Sequence, residues 1–244
     1  MLIEIATTDF ETTRLAVVGG ADRIELCAGL SEGGITPSAG LLELCRQEFE
    51  LPIYPIIRPR SGDFLYSQHE FEIMRKDIML CRSLGYDGVV FGLLNPDGTI
   101  DRNRTAQLIE LAYPMEVTFH RAFDRCADPF EALEQLIDLG CERILTSGQM
   151  PTAPEGMKLI ASLQEQAAGR IVIMPGSGVR PDSIVELARQ TRCVEFHTSL
   201  RSGRESAMTF KHPSFMNSND SYQNPGIEPG SIAAMKQQLS TLVV

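Results

Sequence analysis

Eight short apolar β-runs, each ending in polar residues and glycines and each followed by a helical stretch, predict an α/β chain. The expected fold is a TIM-like (β/α)8 barrel with an irregular C-terminal unit. Two further observations favour closure. Gly20-Ala21-Asp22, Gly85-Tyr86-Asp87 and Gly140-Cys141-Glu142 repeat one slot, a helix C-terminal glycine before the step into the next strand. In addition, the strand endings all carry chemistry: Glu25-Leu26-Cys27, Arg58-Pro59-Arg60, His120-Arg121, Thr146-Ser147-Gly148, Gly176-Ser177-Gly178 and His197-Thr198. In a closed parallel barrel, all such endings open onto one face.

The β-runs lie at 2–6, 23–26, 53–57, 88–91, 115–119, 143–146, 171–174 and 194–196, by Val/Ile enrichment between turn residues. Thr8-Asp9 caps a first helix through Val18. Thr36-Pro37 opens a second, with proline where its missing N–H costs nothing. Residues 69–84 read as a long amphipathic helix with Phe71, Met74, Ile78 and Leu84 on one face. Asp128-Pro129 and Arg180-Pro181 open later helices. Residues 201–230 are rich in Ser, Asn, Pro and Gly. A structureless segment that long is uncommon in a compact domain. Phe210, His212, Phe215, Met216 and Tyr222 should tie it to the barrel rim or to another subunit. Residues 231–242 form a closing helix. The 1–244 chain is read as a single TIM-like barrel domain.

The 244 residues are 43% hydrophobic, enough for one sizeable core. A net charge of −10, with 22 scattered Lys and Arg, argues against a nucleic-acid partner. No stretch approaches the roughly 20 apolar residues of a membrane span. The chain opens directly on strand-like Leu2-Ile3-Glu4-Ile5 with no secretory signal ahead of it, so a cytoplasmic location is expected. The six cysteines are spread without a C-x-x-C pair and are expected to be reduced. Cys45, Cys81, Cys141 and Cys193 read as small core residues. Cys27 and Cys126 lie near the strand C-termini.

Alternation points Glu4 and Glu25 into the barrel as neighbours. Buried carboxylates need partners, and Arg58, Arg60, Arg121 and His120 are the candidates; a purely structural salt-bridge layer is the alternative. His120 is the leading acid/base, oriented by Glu4 or Glu25, with Asp124 close by. His197, two residues after Glu195, is a second candidate. Arg58, Arg60 and Arg121 suit a carboxylate or phosphate ligand. Ser147 and Gly148, and Gly176, Ser177 and Gly178, end strands six and seven, where backbone N–H groups can cradle an anion. Cys27, with a histidine across the mouth, could serve Cu(I).

The blocks Glu25-Leu-Cys-Ala-Gly-Leu-Ser-Glu-Gly-Gly34, Ile56-Ile-Arg-Pro-Arg-Ser-Gly-Asp-Phe64, Val117-Thr-Phe-His-Arg-Ala-Phe-Asp124, Leu145-Thr-Ser-Gly148 and Glu195-Phe-His197 closely resemble the copper homeostasis protein CutC family. The resemblance implies a cytoplasmic barrel, usually oligomeric (dimer or tetramer), with a role named for copper tolerance. It also implies Cys27 as a Cu(I) ligand, since a cysteine in that block has been proposed as one. Two functions from different classes follow: a Cu(I)-binding homeostasis protein, or a barrel enzyme for a small phosphorylated or carboxylated metabolite.

Overall fold

The computed structural model describes residues 1–215 and 222–242. Eight parallel strands alternate with helices: β1 (Leu2–Thr7), α1 (Phe10–Val18), β2 (Arg23–Leu26), α2 (Ala39–Glu48), β3 (Ile53–Pro55), α3 (Gln68–Ser83), β4 (Gly88–Phe91), α4 (Arg102–Ala112), β5 (Glu116–Phe119), α5 (Pro129–Asp138), β6 (Arg143–Thr146), α6 (Met157–Ala167), β7 (Val172–Pro175), α7 (Ile184–Thr191) and β8 (Glu195–Thr198). A hairpin, β9 (Arg201–Glu205) and β10 (Gln223–Ile227), follows, and α8 (Pro229–Ser240) ends the described chain.

Two four-stranded parallel arcs, β3-β2-β1-β8 and β4-β5-β6-β7, make the wall. A parallel bridge between Ile56 and Val90 joins them at one seam. At the other, β7 packs on β8. There Gly176 lies so close that a Cβ would stand 3.3 Å from the Cβ of His197. Residues facing the helices, such as Ile3, Ile5, Ile24, Leu26, Val117 and Ile144, are essentially fully buried. The residues alternating with them enter the barrel: Glu4, Arg23, Glu25, Thr118, Arg143 and His197, all buried.

The caps explain most helix starts. The Asp9 carboxylate accepts from Thr12 N at 2.7 Å, and Thr12 Oγ1 accepts in return from Asp9 N. Asp128 caps α5 ahead of Pro129, as the sequence predicts. Two expectations shift. The second helix starts after Ser38, not at Thr36-Pro37, because Thr36 is paired to the segment that follows β3 through Arg58 N and O. Arg180-Pro181 forms a turn closed by Ser183, and α7 begins at Ile184. Among the described residues, no helix is long and apolar enough to cross a membrane.

The expected irregular unit contains a hairpin instead. Arg201–Glu205 and Gln223–Ile227 pair antiparallel, and β10 packs against α1 at the barrel rim. Neither strand alternates apolar with polar, so period-2 reading passes over both. Phe210 is 67% exposed and does not bury as expected, and Met216 lies outside the described residues.

Candidate active site

The inner face of the barrel carries a chain of alternating charge. Tyr54 Oη donates to Glu116 at 2.6 Å, and Arg143 sits between Glu116 (3.3 Å) and Glu195 (2.6 Å). Arg23 bridges Glu195 (2.6 Å) and Glu4 (2.5 Å). The other Glu4 oxygen meets His197 Nδ1 at 2.7 Å, and His197 Nε2 faces Glu25 Oε2 at 3.8 Å. The array therefore climbs from the barrel floor to its open end and terminates on Glu25.

Counting charges explains the protonation. Glu116, Glu195 and Glu4 balance Arg143, Arg23 and a protonated His197. An ionised Glu25 would have only His197, 3.8 Å away and already bound to Glu4, to answer its charge. Burial opposes charge on Glu4, but Arg23 and His197 outweigh it and hold the carboxyl well below its usual range. Burial also opposes the His197 imidazolium, yet Glu25 and Glu4 raise its pKa. For Glu25, burial wins over the attraction of His197 and pushes the carboxyl up to about 7. Its Oε1 is buried with no hydrogen-bond partner. It lines a cavity of about 270 Å³ at the C-terminal ends of the strands.

The pairing differs from the sequence expectation. Glu4 and Glu25 flank His197, not His120, because β8 is the direct neighbour of β1 and sets His197 beside Glu4. Arg23 is the main partner of Glu4, in place of Arg58, Arg60 or Arg121. Its position two residues before Glu25, on the same strand face, was the available signal.

His120 also lines the cavity. Its Nδ1 accepts from Ala122 N at 3.2 Å, its ring packs against Phe64 with centroids 4.8 Å apart and planes tilted by 53°, and its Nε2 has no hydrogen-bond partner. Burial, then the nearby Arg58 charge, lower its pKa to about 3, so the ring is neutral.

Arg58 is 4% exposed and donates to the carbonyls of Glu32, Gly34 and Gly62, while its Nε is unpartnered. It makes no ion pair among the described residues. Arg180 and Arg201, which sequence reading missed as ligand groups, line the same cavity and have no carboxylate partner among the described residues. Arg201 is delivered by the first residue of the hairpin. Ser177 and Gly178 turn through positive φ (73° and 71°) at the cavity wall. The N–H groups of Ser177, Gly178 and Val179 donate to no protein acceptor among the described residues.

Other expected anion ligands are engaged elsewhere. Arg60 points back into its own loop, bound to Asp63 (2.9 Å) and Glu70 (2.5 Å). Asp124 is a clamp. It takes bonds from Arg121, Thr146, Ser147 and Gln149, so it is not free to move a proton. That clamp also consumes Ser147, and Gly148 N donates to Thr146 Oγ1. Gly176 N donates to Thr146 O, and the residue serves close packing against His197. Arg121 reaches the cavity but is neutralised by Asp124 at 2.7 Å.

Cys27 is fully buried beside Tyr54, Ile56 and Val90, below the mouth. Its thiol donates to Thr7 O at 3.2 Å, and burial, then Glu25, push its pKa strongly up. All six cysteines are buried and free. Among the described residues, the group able to hold a metal ion is Glu4, Glu25 and His197, with ligand atoms within 4.8 Å of one another. Arg23 already supplies positive charge there. A second cavity of about 330 Å³ under the hairpin shares Ala6, Leu30, Ser199 and Arg201 with the first.

The strand C-termini of a parallel barrel thus carry an acid–histidine array and, among the described residues, arginines without a carboxylate partner. The chain belongs to the CutC family, whose model matches residues 1–202. A CutC family protein of Chromobacterium violaceum is 52% identical over 86% of this chain and 85% of its own length. The human copper homeostasis protein cutC homolog is 49% identical over 87% of this chain and 78% of its own. A crystal structure of CutC from Streptococcus agalactiae superposes with a TM-score of 0.77 at 33% identity, covering 82% of this chain and 98% of that one. Phosphoribosylanthranilate isomerase from Thermotoga maritima, at 12% identity and TM-score 0.59 over 99% of this chain and 100% of that one, shares the fold alone.

Proposed function

We propose that this protein is an enzyme that performs acid–base chemistry on a small phosphorylated or carboxylated metabolite. One observation carries this reading. Three arginines that have no carboxylate partner among the described residues, Arg58, Arg180 and Arg201, line a cavity whose wall includes Glu25, a buried acid with one oxygen that has no hydrogen-bond partner. In a chain of net charge −10, local cationic excess of this kind is a ligand-shaped feature. The arginines and the N–H groups of residues 177–179 bind the anion. Glu25 exchanges a proton with the substrate, and His197, fixed by Glu4, tunes Glu25 and stabilises its ionised form.

A thermal-shift screen of small phosphorylated and carboxylated metabolites tests the reading. At least one should stabilise the wild type. Arg58→Ala should then weaken that ligand by about 1.5–3 kcal/mol, roughly 10- to 150-fold, the worth of a charge-assisted hydrogen bond. Arg180→Ala probes the same site with little structural risk, since its guanidinium has no partner among the described residues. A ligand that stabilises both variants as it does the wild type would place the anion elsewhere.

The relatives' names attach them to copper homeostasis, and a Cu(I) role through Cys27 is the other reading of the chain. The thiolate is the form that binds Cu(I), and burial opposes it here. Titration with Cu(I) under reducing conditions is therefore expected to give the same stoichiometry and affinity for Cys27→Ala as for the wild type. A lost equivalent in the variant would restore Cys27 as a ligand.

A further inference from the structure

His120 is left without a task by the acid–base array, yet it is among the best-positioned polar groups in the cavity. Three constraints fix it. Ala122 N donates to Nδ1, so the neutral ring carries its proton on Nε2. Phe64 covers one side of the ring. Gly92 makes the space for it, since a Cβ there would stand 2.6 Å from Nδ1 and 2.8 Å from Cε1. The result is a buried N–H donor with no protein acceptor, on the wall of the site. The charged group acting on the ring is Arg58, whose field opposes a second proton. Phe64, Phe119, Gly92 and Ala122 bring no charge.

Resting on the acid–base reading above, we propose that His120 is a catalytic hydrogen-bond donor. Its Nε2–H binds the carbonyl oxygen of a small anionic aldehyde, ketone or keto acid while Glu25 removes a proton from the adjacent carbon. The C–H pair becomes the new C=C bond, and the C=O π pair moves onto oxygen as an enolate held by His120. Where the adjacent carbon carries a hydroxyl, the proton on Glu25 then goes to the former carbonyl carbon, the hydroxyl proton passes to the oxygen held by His120, and the C=O is re-formed on the adjacent carbon. The step is an internal rearrangement and needs no oxidant, reductant or co-reactant. A neutral donor suits it, because a donor aimed at the place where negative charge develops stabilises the transition state more than the ground state. No lysine lines the cavity among the described residues, so a Schiff base has no local nucleophile, and the carbonyl must be activated by hydrogen bonding.

Calorimetric titration with two probes separates this inference from the reading beneath it. Ethyl phosphate tests the anion site alone. Phosphoglycolohydroxamate adds the oxygens of an enediolate. The wild type should bind the hydroxamate at least about 10-fold more tightly than ethyl phosphate, the effect of a hydrogen bond to a charged group. His120→Leu should abolish that excess while keeping ethyl phosphate affinity, and His120→Gln, which retains a donor, should recover part of it. If both probes bind the wild type equally, the His120 role is wrong and the anion site stands. If neither binds, the anion site itself fails and this role with it. Nitrogen NMR of the wild-type ring gives an answer that does not depend on variant folding. A neutral ring protonated on Nε2 is expected across about pH 5 to 8. An imidazolium, or a proton on Nδ1, would overturn the proposal.

Discussion

Arg23→Met is expected to cost about 3–5 kcal/mol of folding stability, because it takes the shared cation from two carboxylates in the barrel interior and leaves Glu4 only His197 and Glu195 only Arg143. Arg23 is 3% exposed and touches both Glu4 and Glu195. With methionine in its place, the apolar volume is largely kept, but Glu4 and Glu195 lose the charge they share. Such a loss is a large fraction of the total stability of an ordinary domain. Urea denaturation near neutral pH measures it. Adding Glu4→Gln and Glu195→Gln to the variant should recover a substantial part of the loss, since the stranded charges go with them. A cost below about 1 kcal/mol for Arg23→Met alone would mean that the array is solvated and is not the rigid electrostatic support described above.

Glu25→Gln should reduce turnover by about 10²- to 10⁴-fold, the usual worth of a positioned acid or base. The same change should make the protein more stable at alkaline pH. The folded-state pKa of Glu25 is raised from 4.5 to about 7. A carboxyl raised in this way binds more protons folded than unfolded between those values. Folding stability therefore falls as pH rises through that window and levels off above it. The full displacement corresponds to roughly 3 kcal/mol, of which the attraction between ionised Glu25 and His197 is lost in the variant. A gain of about 1–3 kcal/mol at pH 8, and almost none near pH 4.5, is expected from parallel denaturation curves. Reduced stability at pH 8 would show that Glu25 is a structural ion and not a base whose charge the fold holds at a cost.

Much of this was legible in the sequence, and the parts that were not share a cause. Val/Ile runs locate every barrel strand, and capping residues locate the starts of α1 and α5, because both signals are local. The inward orientation of Glu4 and Glu25 follows from alternation alone. Which histidine meets them does not, since it depends on barrel closure bringing β8 against β1. His120 stood out by its neighbours Arg121 and Asp124, but those two pair with each other and with the β6 turn. Arg60 was likewise indistinguishable from Arg58 in the motif. The difference is that Glu70, ten residues on in α3, captures Arg60, while Arg58 finds only carbonyls. Arg201 was hidden because its hairpin has polar strands, and its reach into the cavity depends on how that hairpin docks on α1.

The central claim is that the barrel mouth is a binding site for a small anion placed over Glu25. Crystals soaked in 2-phosphoglycolate test it directly. Electron density for the phosphate is expected against Arg180 and the N–H groups of Ser177, Gly178 and Val179, with the carbon end directed at Glu25 and His120. Density for the ligand only on the outer surface, or a mouth left without it at saturating concentration, would contradict the account and reduce the arginines to structural roles.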